Sequence, residues 1–128
     1  MEAKRKIINT DKAPGAIGPY SQGITIGNLV FVSGQLPMDP ESGELVKGEI
    51  EVETRQALMN LKYILEAAGS GLQKVVKTTL FIKDMEQFPR INEVYAEFFP
   101  EEPPARACVE VARLPKDARF EVEAVALI

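Results

Sequence analysis

Residues 74–83 read KVVKTTLFIK. The run is rich in β-branched and aromatic residues, which suit the pleated surface of a strand. Its neighbours decide the fold. Before it, residues 51–68 carry Leu58, Leu61, Leu65 and Ala68 at three/four spacing, with Gly69 as a stop, and this predicts a helix. After it, residues 84–88 form a connection, and a second helix runs to about Phe99 with Phe88, Ile91, Tyr95 and Phe98 on one stripe. Pro100, Pro103 and Pro104 end that helix.

Farther out the pattern is all strand. Residues 4–8 (KRKII) suit a short edge strand, and 11–19 (DKAPGAIGP) a Gly/Pro loop. Tyr20 to Ile26 and Leu29 to Ser33 read as two strands around a tight Gly27-Asn28 turn, followed by a loop over 34–49. On the other side come strand 106–113, a turn at 114–117 and strand 119–127. The order β-β-β-α-β-α-β-β keeps strand runs apart from helices. It predicts one α+β domain over residues 1–128, with both helices on one face of a mixed sheet. The other face carries Val, Thr, Phe and Cys residues, and another copy of the chain is expected to cover it.

Composition narrows the function. With 128 residues, 45% hydrophobic and 27% charged, the chain is an ordinary globular protein. Its apolar stretches are too short to cross a membrane. No apolar region follows the basic start MEAKRKII, so no signal peptide is expected. One cysteine excludes an internal disulfide and fits a reducing cytoplasm. A net charge of -4, with scattered basic residues, argues against a nucleic-acid binder. Zero histidines removes the commonest general base and most zinc sites. Chemistry here must run on carboxylate, hydroxyl, amide, guanidinium, amine or the single thiol.

Residues 103–115 (PPARACVEVARLP) place an arginine at the head of an alternating run. Ala107, Val109 and Val111 form one parity, expected to face the core. Arg106, Cys108 and Glu110 form the other, on which Arg106 is by default a solvated residue. The paired prolines stiffen its approach, and a guanidinium held in place is a fork for a carboxylate or phosphate. Other polar residues also stand in awkward places. Asn92 borders an apolar helix stripe, where a local hydrogen bond to a loop is the plainer account. Ser33, Gly34 and Gln35 end an apolar strand and suit simple turn chemistry, and Tyr20 suits a core aromatic with its hydroxyl at the surface. Glu121 and Glu123 share a strand face that is either solvated or the seat of a general base. Cys108 has no histidine to activate it.

The sequence resembles the RidA/YjgF family of reactive-intermediate deaminases over roughly residues 7–127. The resemblance rests on AIGPYSQG at 16–23, VSGQLP at 32–37, AGSGLQKVVKTTLFIKDM at 68–85, INEVYAEFF at 91–99 and PPARACVEVARLPKDARFEVEA at 103–124. It implies a chorismate-mutase-like α+β fold assembled as a homotrimeric barrel, with helices outside and sites in the clefts between subunits. It implies hydrolysis of 2-imino acids and their enamine tautomers (2-iminobutanoate, 2-iminopropanoate) to 2-oxo acids and ammonia, with no cofactor and no metal. Arg106 matches the family's carboxylate-binding arginine, and Glu121 the acidic residue that handles water. Tyr20, Ser33 and Asn92 match cleft-lining positions, and Gly34 and Cys108 match positions whose backbone lies beside the ligand. Ala107 stands where serine or threonine is frequent, and Glu53 where glutamine is frequent; neither is expected to touch the chemistry.

Such chemistry needs no histidine: a fork fixes the carboxylate, a carboxyl group orients water, and hydroxyls and backbone groups hold the rest. If strands 106–113 and 119–127 pair as a hairpin, Glu121 lies nearly opposite Val111 and roughly 16 Å from Arg106. The expectation is therefore that Arg106 of one subunit meets Glu121 of the next. Competing readings are a non-catalytic 2-oxo acid sensor and a ribonuclease or translation inhibitor; on chaperone-like binding the sequence is silent.

Overall fold

The structure, a computed structural model, describes residues 4–128; the first three residues of the basic N-terminal segment lie outside the described residues. The strands are β1 (Lys6–Ile8), β2 (Gly23–Ile26), β3 (Leu29–Gln35), β4 (Val75–Ile82), β5 (Ala105–Glu110) and β6 (Phe120–Leu127), with helices α1 (Ile50–Ala67) and α2 (Phe88–Phe98). The element order is the expected one. The six strands form one mixed sheet in the order β1-β2-β3-β6-β4-β5. Only β4 and β5 pair in parallel.

The core lies between the sheet and the two helices. Leu58, Leu61, Ile64 and Leu65 of α1 and Ile91 and Val94 of α2 are buried against Val30, Leu80, Ile82, Phe120 and Val122. α1 ends as its glycine predicts. Gly69 takes φ +83°, which a side chain disfavours, and the Ser70 N–H closes back on the Leu65 carbonyl at 2.8 Å. Among the described residues no helix is long and apolar enough to cross a membrane. Glu53 is buried and takes the Arg119 guanidinium, which also donates to the Gly48 carbonyl at 2.7 Å. That departure from the family pattern therefore falls in a structural ion pair.

Two expectations about β5 fail. The hairpin with β6 does not form, so Val111 is not the partner of Glu121. β6 is the central strand, with ladders to β3 and β4 on its two sides, and has no edge left to offer. Its Phe120, Val122, Ala124 and Ala126 are all buried, which is why it takes the middle. β5 instead arrives through the α2 crossover and lies parallel to β4, with Arg106 beside Thr78 and Cys108 beside Leu80.

That register also inverts the expected faces. Thr78, Leu80 and Ile82 are the buried, helix-facing residues of β4, so their partners Arg106, Cys108 and Glu110 share the helix side. Ala107 and Val109 face the opposite way. Cys108 packs against the core and is not part of the open face. The apolar parity of β5 belongs to a second apolar surface. Val109, Phe31 and Leu127 are 42%, 44% and 41% exposed there; Val109 pairs with Phe81 and Phe31 with Val125, and Thr79 and Glu123 lie between the two pairs. A period-two pattern reports which side is apolar, not which apolar layer it meets.

Candidate active site: two half-sites on opposite faces

The first half-site is built on α2 and β5. Arg106 Nη1 donates to Asn92 Oδ1 at 2.8 Å. Its guanidinium carbon lies 4.8 Å from the Tyr95 ring centre and 5.2 Å from that of Phe88. Phe88, Asn92 and Tyr95 follow one another at four- and three-residue steps, so they stand on one face of the helix. Among the described residues Arg106 has no carboxylate partner, in a chain with 19 acidic residues. Beside it runs a groove of about 400 Å³ lined by Asn92, Tyr95, Ala96, Phe99, Pro103, Pro104 and Arg106. A free fork next to an apolar wall suits a small carboxylate with an apolar tail. Asn92 thus bonds the arginine rather than a loop. Cys108 lies two residues along the same face; burial pushes its thiol pKa up, against the pull of Arg106, which disfavours a thiolate nucleophile.

The second half-site lies on β3 and β6. The register between these strands breaks between Val32 and Gln35, with Ser33 and Gly34 in the irregularity. The residues taken for turn chemistry are thus the end of a strand. Ser33 Oγ donates to the Ser21 carbonyl at 2.6 Å. Tyr20 lies in the loop before β2, not in a strand or core. It is 50% exposed, and its hydroxyl accepts from the Ile17 N–H at 3.3 Å. Tyr20 and Gly34 line one small cleft with Pro14, Gln22 and Met38. The Glu121 carboxylate lies over Gly34: a methyl group there would stand 2.6 Å from Glu121 Oε2 and 2.8 Å from the carboxyl carbon. Burial, and secondarily the Glu123 charge, push the Glu121 pKa above its usual 4.5.

Both features make predictions. Gly34→Ala must displace the Glu121 carboxylate while leaving the ladder in place. Any chemistry that needs this carboxylate should fall about 100-fold, with a loss of no more than ~1.5 kcal/mol in denaturant unfolding. For stability, a raised folded-state pKa means that the native state binds this proton more tightly than the unfolded chain. Glu121 therefore costs stability increasingly as pH rises from 4.5 through its folded value. Glu121→Gln should melt above wild type at pH 7, and the advantage should vanish below 4.5, as read from melting temperature against pH.

One chain does not bring the halves together. Arg106 aligns with Thr78 and Glu121 with Phe81, three residues along β4 and on opposite faces of the sheet. Two strand spacings and three residues of rise put their backbones roughly 14 Å apart. This geometry replaces the one drawn from a hairpin. A surface cavity of about 600 Å³ around Asn9, Asp11 and Pro40 holds neither residue. The aromatic seat of Arg106 was missed in the sequence, where Phe88 and Tyr95 read only as core stripe. The available signal was Asn92, a polar residue spaced between them.

Comparison with known proteins identifies the chain's relatives. The family model described as Endoribonuclease L-PSP matches residues 10–128. A RutC family protein from Pyrococcus horikoshii is 56% identical, covering 95% of this chain and 97% of its own. The Escherichia coli protein named 2-iminobutanoate/2-iminopropanoate deaminase is 50% identical over 95% of this chain and 97% of its own. The crystal structure of E. coli TdcF with bound serine superposes with a TM-score of 0.92 at 48% identity, covering 96% of this chain and 98% of that one.

Proposed function

The chain belongs to the endoribonuclease L-PSP family, the RidA/YjgF family that its sequence resembles, and from that premise we propose that it hydrolyses 2-imino acids to 2-oxo acids and ammonia. The reaction runs in clefts between the subunits of a homotrimer of single-domain chains, without a cofactor, in a reducing cytoplasm. The observation that carries this reading is the carboxylate-free Arg106 fork beside an apolar groove. A relative half identical to this chain bears the deaminase name, and another holds serine, an amino acid with the carboxylate such a fork would bind.

The chemistry follows from the residues. Arg106 takes the substrate carboxylate and so sets C2 in place. Asn92 holds the guanidinium. Glu121 of the neighbouring subunit orients a water and accepts its proton as the oxygen bonds to C2 of the protonated imine. The resulting carbinolamine takes a proton on nitrogen from the same carboxyl group. The C–N bond then breaks, ammonia leaves, and loss of the hydroxyl proton gives the 2-oxo acid. The raised pKa of Glu121 suits a group that must both accept and return a proton near neutral pH. Ser33, Tyr20 and the backbone at Gly34 and Cys108 line the cleft around the reacting atoms. The apolar open face, with Phe31, Val109 and Leu127 exposed, is the surface that the trimer covers.

The test is release of ammonia and 2-oxobutyrate from enzymatically generated 2-iminobutyrate. Acceleration over buffer supports the proposal. A folded oligomer that binds 2-oxobutyrate without accelerating release would instead be a metabolite sensor. The family description favours one further reading, RNA cleavage. Zero histidines and a net charge of -4 argue against it, and cleavage that vanishes in Arg106→Ala is the result that would establish it.

A further inference from the structure

We propose that Phe88 and Tyr95 are positioning residues that seat the Arg106 guanidinium and aim its free edge at the ligand carboxylate, an inference that rests on Arg106 being the carboxylate anchor. The guanidinium carbon stands 4.8 Å and 5.2 Å from the Tyr95 and Phe88 ring centres, within the range where a planar cation is held by a ring face. Asn92, between them on the same helix face, takes only Nη1. The remaining N–H groups have no partner among the described residues.

The seat is itself anchored. Tyr95 is 6% exposed, and its hydroxyl shares a buried 2.8 Å hydrogen bond with Thr78 Oγ1. Thr78 is the ladder partner of Arg106. Helix α2, strand β4 and strand β5 therefore close a loop of contacts around one side chain. The Phe99 ring, 4.6 Å from that of Tyr95, backs it from the far side of the helix turn. An arginine on an edge strand normally samples many rotamers, and each one lost on binding weakens the ligand. Held over two rings, this fork meets a carboxylate already oriented. A lysine ammonium is also attracted by a ring face, but it has no plane to stack and no fork to aim, so the seat does less for a lysine in place of Arg106.

The experiment reads 2-oxobutyrate affinity by calorimetry, which does not depend on turnover. Phe88 is half-buried, so Phe88→Leu is the variant that keeps the fold. It should weaken binding about tenfold, or ~1.4 kcal/mol, whereas Phe88→Tyr, which keeps a ring, should stay within about twofold of wild type. Tyr95→Phe keeps the ring but cuts its bond to Thr78, so it should weaken binding by about two- to fivefold, less than Phe88→Leu, and should also lower the melting temperature. In an Arg106→Lys background, Phe88→Leu should cost about threefold or less, because the rings attract an ammonium but have no planar fork to aim. The Arg106 Nε–H proton resonance should shift in Phe88→Leu as it loses the Phe88 share of the ring current, while the Tyr95 ring 4.8 Å away keeps its own. Unchanged affinity, an equal loss in both backgrounds, or an unmoved resonance would each overturn the proposal. Where Arg106→Lys binds too weakly to compare, the resonance decides. Absent turnover with the tenfold effect intact would sink the deaminase reading and leave the seat standing; turnover with unaltered binding in Phe88→Leu would do the reverse.

Discussion

Arg106→Ala should lower kcat/KM for 2-iminobutyrate by about 10²–10³-fold, the effect of removing one member of a charged, hydrogen-bonded pair worth ~3–4 kcal/mol. The loss should show in ammonia release and equally in affinity for 2-oxobutyrate, because both ligands present the same carboxylate. Stability should barely move. Arg106 sits on an edge strand, its one hydrogen bond goes to Asn92, and no ion pair among the described residues depends on it. Arg106→Lys separates charge from geometry. A lysine keeps the cation but not the planar fork, so roughly 10–100-fold should still be lost. Full activity in Arg106→Lys would mean that a point charge suffices. Full activity in Arg106→Ala would remove the arginine from the site altogether.

Mixing two inactive variants should restore activity. Arg106→Ala and Glu121→Gln each cripple one half-site, and the halves lie on opposite faces of the sheet. If each cleft takes Arg106 from one subunit and Glu121 from the next, a mixed trimer contains some clefts with both native residues. Random 1:1 mixing leaves an intact arginine donor beside an intact glutamate donor in roughly a quarter of the clefts. Co-refolded or co-expressed variants should therefore recover about a quarter of wild-type turnover, while the same proteins mixed without subunit exchange recover nothing. No recovery from verified mixed trimers would overturn the shared cleft. The same logic says that a folded monomer has no complete cleft. A charge at Val109 or Phe31, on the open face, should abolish turnover as it breaks the assembly.

Under the proposed mechanism, Glu121 and Gly34 divide stability from function. Burying a carboxyl group beside Glu123 costs the fold, and only a glycine leaves room for it. Such a group persists where its chemistry is needed.

The one-dimensional pattern was enough for the element order, both helices with their stops, the mixed α+β class and a chemistry that excludes histidine. These are local properties: side-chain period, glycine and proline placement, and residue inventory are all complete in the chain itself. The landmarks from AIGPYSQG to RFEVEA also named the residues of the candidate site. Pairing was beyond it. Residues 106–113 and 119–127, neighbours in sequence and joined by a turn, read as a hairpin, yet β4 lies between them because β6, whose helix-facing Phe120, Val122, Ala124 and Ala126 are all apolar and buried, claims the centre of the sheet. The face of β5 was also illegible. Ala107 and Val109 mark an apolar side in either orientation, and only the register with Thr78 and Leu80 turns Arg106 toward the rings of α2. Alternation carries a period but no absolute direction, so strand order and facing are settled by which apolar surfaces can be buried together, and that is a property of the assembled sheet.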